Sequence, residues 1–458
     1  MNARTYSARR DALRTAVPDG AILIMGNDEA PRNYVDNPYP FRQDSHFLYY
    51  AAVNRAGLAL LIDPDGLPVV FGMPEHRDDV VWHGPHKTLE DLSEAAGITE
   101  VADIGSLGER LAKLKAAGVK VHFLPPYRAQ RRFSLARLLG LDPREVAAQT
   151  SVDLVRAVAA QRSVKEEVEI AEIEDAMAVT ALMYRATMRG ARAGLTEARV
   201  SAIHQMESVA RDRGQAFSPI VTVAGEVLHN TSYANTLRDG DLLLVDSGTE
   251  SSNYYATDIT RTMPVSGRFT DQQREVYEVV LAANEAAIAA ASPDRTNREL
   301  HLLAARTVVS GLKDIGLMQG NVDDAVEAGA HALFFVHGLG HMMGLDVHDM
   351  EDLGDVVGYE RGEERSTQFG LAYLRLARKL EPGFVITIEP GIYFIPALID
   401  RWRSDGMLRD FIRYDRLEAY SDFGGIRIED DILITEKGSR VLGSAIPKSV
   451  TDVEGAMG

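Results

Sequence analysis

Five ionisable residues in the second half of the chain are of the types and spacing that do metal chemistry. Asp246 follows the apolar run Leu242-Leu243-Leu244-Val245, and Asp258 lies in Ala256-Thr257-Asp258-Ile259-Thr260-Arg261-Thr262. His341 closes His337-Gly338-Leu339-Gly340-His341. Glu389 follows Val385-Ile386-Thr387-Ile388 and precedes Pro390-Gly391, and Glu429 sits in Gly425-Ile426-Arg427-Ile428-Glu429-Asp430-Asp431. Taken singly, an acid at a strand end is more often a cap or a solvated turn than a ligand. The sequence places Glu389 and Glu429 inside apolar strands, where an unpaired carboxylate is costly. Each then needs a cation, either an arginine or a metal. Four carboxylates and one imidazole suit a pair of divalent ions, manganese first, with cobalt or zinc as alternatives. Two such ions balance four carboxylates, activate a bridging water and clamp the tetrahedral intermediate of amide hydrolysis.

Competing chemistries fit less well. His337 and His341 are four apart, as in a helical zinc-protease motif, but glycines at 338, 340 and 344 oppose a helix, and 338 is Gly where that motif needs Glu. The same glycines miss a dinucleotide fingerprint by one residue, and no Walker A lysine motif occurs. Ser247 before Gly248 is not a nucleophile elbow and is expected to hydrogen-bond at a strand end. His348, in Gly344-Leu345-Asp346-Val347-His348-Asp349, reads equally as core or functional, and its glycine-rich neighbourhood with His341 favours the latter. The absence of cysteine excludes disulfides and thiolate zinc sites and fits a reducing compartment. A net charge of −18 argues against nucleic acid as a partner. The polar, arginine-bearing start from Met1 to Arg14 does not read as a signal peptide, and no segment approaches the roughly 18 uncharged apolar residues of a membrane span. Residence in the cytoplasm is therefore expected, and the acceptor-like Asn230-Thr231-Ser232 is set aside.

These residues must be held by elements, and the chain shows two textures. Up to about residue 160, short apolar runs alternate with turns. Ala21 to Met25, Leu58 to Ile62 and Val69 to Phe71 read as strands, Asp63-Pro64-Asp65-Gly66 as a turn, and Leu89 to Ala96 and Leu107 to Ala117 as helices. A domain of residues 1–160 is expected, then a second of 161–458. The second opens with a long helix from Glu166, ended by Gly190 and Gly194, and a shorter helix through Val200 and Met206. Strands are expected at Leu242 to Val245 and Tyr254 to Met263, helix over 272–316, and strands again at Phe384 to Ile388, Gly425 to Ile428 and Asp431 to Ile434. The fold class is α/β, or α+β, in two domains.

With their flanking residues, the five positions resemble the proline-specific metallopeptidases of the pita-bread fold, aminopeptidase P and prolidase. The motifs are Val245-Asp246-Ser247-Gly248, Asp258 to Thr262, His337 to His341 with Gly344 to Asp349, Ile388-Glu389-Pro390-Gly391-Ile392-Tyr393, and Gly425 to Asp430, in the family's order. Tyr39-Pro40-Phe41-Arg42-Gln43-Asp44-Ser45-His46-Phe47-Leu48-Tyr49 resembles the aminopeptidase P N-terminal domain. The resemblance implies that Asp246 holds one metal, that Asp258 and Glu429 bridge both, and that His341 and Glu389 hold the other, with Glu389 as general base. It further implies that His348 stabilises the oxyanion, that His229 and His337 contact substrate around the scissile bond, and that Arg427 pairs with a bridging carboxylate. It implies peptides with proline in second position as substrates, and a homodimer or homotetramer in which the N-terminal domain partly closes a neighbour's site.

The sequence departs from the family in places. The Asp246–Asp258 spacing is one residue longer than expected, with Ser251, Ser252 and Asn253 in a longer hairpin turn. Long stretches from Glu351 to Pro382 and Ile395 to Gly424 look more like prolidases, while the N-terminal part looks like aminopeptidase P. The expectation is an Xaa-Pro aminopeptidase, with Xaa-Pro dipeptidase as the alternative. For a dipeptidase, Arg365, Arg375 or Arg378 could grip a substrate carboxylate, against the blander reading of a solvated helix face. A metal-free binding protein or a creatinase-like hydrolase on the same fold fits the intact ligand set less well.

Overall fold

The computed structural model describes residues 1–458 except Glu75, Arg77 and His86, with His83 described by its backbone alone. The chain divides into two compact units. One comprises Met1–Arg162 with Asp352–Val356, and the other Ser163–Glu351 with Val357–Gly458.

The first unit is built on a five-stranded sheet in the order β4-β3-β2-β1-β5. Its strands are β1 (Ala21–Met25), β2 (Ala59–Ile62), β3 (Pro68–Gly72), β4 (Glu100–Asp103) and β5 (Val121–Phe123). The three apolar runs of the sequence form its antiparallel centre, with Leu23 opposite Leu61 and Leu60 opposite Val70. The edge strands β4 and β5 join in parallel. They are short, and β4 is only half covered, so neither announces itself as an apolar run. Helices pack Leu107, Leu111 and Leu135 onto Leu23, Leu61 and Phe71 as one core.

The Tyr39–Tyr49 segment has a structural part in this unit. Asp44 caps the helix Ser45–Ala51 by accepting from the Phe47 amide at 3.0 Å, and it takes Arg131 Nη1 at 2.8 Å. Burial pushes the Asp44 carboxyl up, but the charges of Arg131 and His46 outweigh burial and hold it down at about 2. A depressed carboxylate contributes stability above its unfolded value and loses it as pH falls through the folded one. Asp44 is therefore expected to contribute about 2 kcal/mol at neutral pH, lost between roughly pH 4 and pH 2. Urea unfolding of Asp44→Asn beside the parent checks this. A deficit at pH 7 that does not shrink on going to pH 3 would count against the ion pair as its source.

The second unit begins with the helices Glu167–Gly190 and Glu197–Val209. The region expected to be one helix over 272–316 is two, Asp271–Ala290 and Asn297–Asp314. Pro293 lies in the gap, and Thr296 caps the second helix with Glu299 in a reciprocal capping box. Both signals are present in the sequence. Among the described residues no helix is long and apolar enough to cross a membrane.

Eight short strands complete this unit: β6 (Ile220–Thr222), β7 (Leu242–Ser247), β8 (Ile259–Pro264), β9 (Val385–Ile388), β10 (Gly391–Tyr393), β11 (Gly425–Arg427), β12 (Asp430–Ile434) and β13 (Ser439–Val441). They pair as β6-β7-β8, β13-β12-β9 and β10-β11. β8 starts at Ile259, not Tyr254, because Tyr254 has φ +69° within the turn that follows Ser251. A single bridge between Glu250 and Ala256 closes that longer hairpin.

Glu389 and Glu429 are not inside strands, contrary to the expectation from sequence. The β9/β12 pair stops where Ile388 meets Asp430, and the β10/β11 pair starts where Gly391 meets Arg427. Glu389-Pro390 and Ile428-Glu429 fill the two facing breaks. Pro390 has no amide hydrogen to continue a ladder, which accounts for one side. The Glu429 backbone bridges to Thr260 of β8, joining the sheets at that point.

Candidate metal centre

Asp246 stands near the end of β7, opposite Thr260 of β8, and Asp258 immediately precedes β8. Glu389 and Glu429 come from the facing strand breaks. His341 comes from the glycine-rich segment, which is not helical and runs along β9. The Glu389 amide donates to Leu339 O at 2.8 Å and the Thr387 amide to His341 O at 3.1 Å. This close approach needs Gly340, where a Cβ would lie 1.9 Å from Thr387 O.

All nine residues singled out in the sequence line one cavity of about 450 Å³: Asp246, Asp258, His341, Glu389, Glu429, His229, His337, His348 and Arg427. The tightest group is Asp258, His341 and Glu429, whose ligand atoms all lie within 4.8 Å of one another. Asp258, His341 and Glu429 are 5%, 3% and 2% exposed. His341 Nε2 is 3.4 Å from Asp258 Oδ2 and 3.8 Å from Glu389 Oε1.

The donor set fits divalent metal. Asp258 Oδ1 is buried with no hydrogen-bond partner. Burial and the neighbouring carboxylates push the Asp258 and Glu429 carboxyls well above their ordinary range. Burial, opposed by Arg427 and reinforced by Asp246, also raises Glu389. Like charges in such a space call for a cation. His341 is suited to be a ligand, since burial drives its imidazole well towards the neutral form. Its Nδ1 is 3.0 Å from Met342 O, and a carbonyl only accepts, so the proton sits on Nδ1 and the Nε2 lone pair faces the acids.

The surrounding residues sort the remaining charges. Arg427 pairs with Asp246 and not, as the resemblance implies, with a bridging carboxylate. Its Nε donates to Thr260 Oγ1 at 3.1 Å and its Nη1 to Tyr393 OH at 2.8 Å. Thr260 Oγ1 in turn donates to Glu429 Oε2 at 2.7 Å. Arg427 thus reaches Glu429 only through Thr260. Asp430 is neutralised outside the acidic cluster, whereas Asp431 adjoins it and adds to the charges that raise Asp258. Arg261 and Lys448 each hold Asp430 at 2.7 Å, and Asp431 accepts the Asp258 amide at 3.0 Å.

His337 is held at both nitrogens: Nδ1 donates to Gly338 O at 2.8 Å and Nε2 accepts from Tyr393 OH at 2.7 Å. Burial lowers it to about 3, so it is neutral. His348 packs edge-on against His341 with ring centroids 4.3 Å apart, and its Nδ1 lies 2.7 Å from Glu351 Oε2. Its segment is anchored by the buried pair Lys165–Asp349 at 2.9 Å. His229 is exposed at the cavity wall.

Sequence reasoning missed Thr260, Tyr393 and Glu351. Thr260 follows Asp258 by two positions and shares its face in an extended segment, a signal that could have found it. Tyr393 and Glu351 carried none beyond proximity to a motif. Ser247, expected to hydrogen-bond at a strand end, has its Oγ buried without a partner. Of the three arginines offered as a carboxylate grip, only Arg375 lines the cavity. Arg365 donates to Leu374 O and lies over the Tyr359 ring, and Arg378 pairs with Glu381.

Residues 171–436 match the model of metallopeptidase family M24, and residues 6–122 that of the aminopeptidase P N-terminal domain. The chain is 31% identical to an Escherichia coli (strain K12) Xaa-Pro aminopeptidase, covering 100% of this chain and 98% of that relative. It is 29% identical to a Homo sapiens Xaa-Pro dipeptidase, covering 96% and 90%. Among solved structures, an E. coli aminopeptidase P variant in complex with substrate superposes with a TM-score of 0.82 at 29% identity, over 100% of this chain and 98% of that one.

Proposed function

The chain belongs to metallopeptidase family M24, with an aminopeptidase P N-terminal domain, and on that footing we propose that it is an Xaa-Pro aminopeptidase working with two divalent metal ions. The observation that carries this reading is the convergence of five potential ligands, three histidines and Arg427 on one cavity. Divalent ions held by Asp246, Asp258, His341, Glu389 and Glu429 would supply Lewis acidity and an acidified water for amide hydrolysis. Glu389, whose proton affinity is raised by burial, takes up the proton of the attacking water. Glu351 accepts from His348 Nδ1 and orients the ring, and the imidazolium form of His348 donates from Nε2–H to the oxyanion of the tetrahedral intermediate. Neutral His337, fixed by Gly338 and Tyr393, and His229 contact the substrate on either side of the scissile bond. Arg427 keeps the Asp246 carboxylate oriented. Phe217, Leu228, Val336 and Phe369 give the cavity an apolar wall suited to a proline ring and an apolar neighbour.

A second reading has one specific observation in its favour. Arg375 lines the cavity, and a guanidinium there suits a free carboxylate on proline, which only a dipeptide presents. Peptide length separates the two. Turnover of an Xaa-Pro-Xaa tripeptide is expected to exceed that of the Xaa-Pro dipeptide by about tenfold in kcat/KM, roughly 1.4 kcal/mol of preference. Hydrolysis of the dipeptide alone would make the chain a dipeptidase.

A further inference from the structure

Glu351 has only an orienting part in the activity proposed above, yet it joins two residues of the cavity. Its Oε2 takes His348 Nδ1 at 2.7 Å, and its Oε1 takes Arg375 Nη1. The hydrogen bond from His348 and the charge of Arg375 hold its carboxyl below the ordinary range, so at neutral pH it is a carboxylate.

The cavity is lined by two arginines among the described residues, and they differ in what they can offer a ligand. Arg427 is buried, and its guanidinium is spent on Asp246, Thr260 and Tyr393. Arg375 is 37% exposed and is the cation a bound peptide can reach. Planar guanidinium selects carboxylates by charge and by fork geometry. A peptide ending at proline carries a carboxylate one residue beyond the scissile bond, whereas a longer peptide carries a neutral amide there. Glu351 already presents Arg375 with a carboxylate supplied by the chain itself.

We propose that Glu351 is a specificity-determining residue that engages Arg375 internally, disfavours substrates whose proline is C-terminal, and so selects longer Xaa-Pro peptides. The inference rests on the Xaa-Pro peptidase reading of the site. Glu351 opposes a dipeptide twice, by neutralising Arg375 and by repelling the substrate carboxylate. The ion pair is half-exposed, so the effect is of the size of a surface pair, about fivefold.

The test compares alanyl-proline with alanyl-prolinamide, which differ in the carboxylate alone. The ratio of kcat/KM for the acid over the amide is expected to rise about fivefold in Glu351→Gln and Glu351→Ala, mainly through a lower KM for the acid. Glu351→Gln keeps the side chain's volume should the alanine variant fold poorly. Loss of the His348 hydrogen bond slows both compounds and cancels in the ratio. Adding Arg375→Ala to either variant is expected to abolish the gain. A ratio that stays level or falls in both single variants overturns the proposal, whatever happens to the absolute rates. Wild-type protein that hydrolyses neither compound nor a longer Xaa-Pro peptide overturns the peptidase reading itself, and a gain that persists without Arg375 overturns only the part assigned to that arginine.

Discussion

Glu389→Gln is expected to lower kcat/KM for an Xaa-Pro-Xaa peptide by about 10³-fold, the middle of the range for a positioned general base. Glu389 occupies a strand break, so its side chain is not committed to either face of a ladder, and 19% of it stays exposed to the cavity. Its Oε1 lies 3.8 Å from His341 Nε2 and its Oε2 3.6 Å from His337 Nδ1. It therefore stands between the Asp258–His341–Glu429 cluster and His337. Glutamine keeps the shape and one carbonyl oxygen but cannot take a proton. The loss should fall on kcat with KM nearly unchanged, because proton transfer belongs to the transition state. Steady-state kinetics on protein of measured metal content decides. Activity within about threefold of wild type at equal metal content would remove Glu389 from the role of base.

The second large effect is on the metal-free protein, where removing a proposed ligand is expected to stabilise the fold. Asp258→Asn should abolish activity and yet raise the melting temperature of chelator-treated protein at pH 8 by about 2–6 °C. Burial, then Glu429 and Asp246, push the Asp258 carboxyl up, and its Oδ1 has no partner. The sign follows from linkage. Groups raised on folding contribute stability that is present below their unfolded values and is lost as pH rises through the folded ones. For Glu389, which burial pushes up to about 8, that window runs from its ordinary 4.5 to about 8. The metal-free wild type should therefore lose stability from pH 5 to pH 8. The metal-loaded protein should not, because the ions displace those protons. The Asp258→Asn substitution should flatten the metal-free profile. A variant melting lower than wild type at pH 8 without metal would show that Asp258 is a structural acid and not a strained ligand.

Much of the site was legible because ligand chemistry restricts residue type. Carboxylates beside four-residue apolar runs, and a histidine between glycines, stand out wherever they fall. The central strands β1, β2 and β3 were legible for the same reason, each being an apolar run. The edge strands β4 and β5 were not, since a short strand at a sheet margin needs no apolar run. The break between the helices ending at Ala290 and starting at Asn297 is written in Pro293 and Thr296, although the helical composition on either side masks it. The partners of charges were not legible at all. Nothing along the chain says that Arg261 belongs to Asp430, that Arg427 belongs to Asp246, or that Glu351 takes both His348 and Arg375.

The sequence by itself determined which residues are candidate donors, their order, and the two-domain α/β character of the chain. Only the tertiary structure decided which acids are neutralised by arginine or lysine and which remain for a cation. Asp430 and Glu429 are adjacent in sequence, yet one is held by Arg261 and Lys448 while the other faces Asp258 and His341. The physical reason is that electrostatic energy depends on separation through space. Those separations are fixed by strand register, which brings together Asp258 and Asp431, 173 positions apart in sequence, and Thr260 and Glu429, 169 apart.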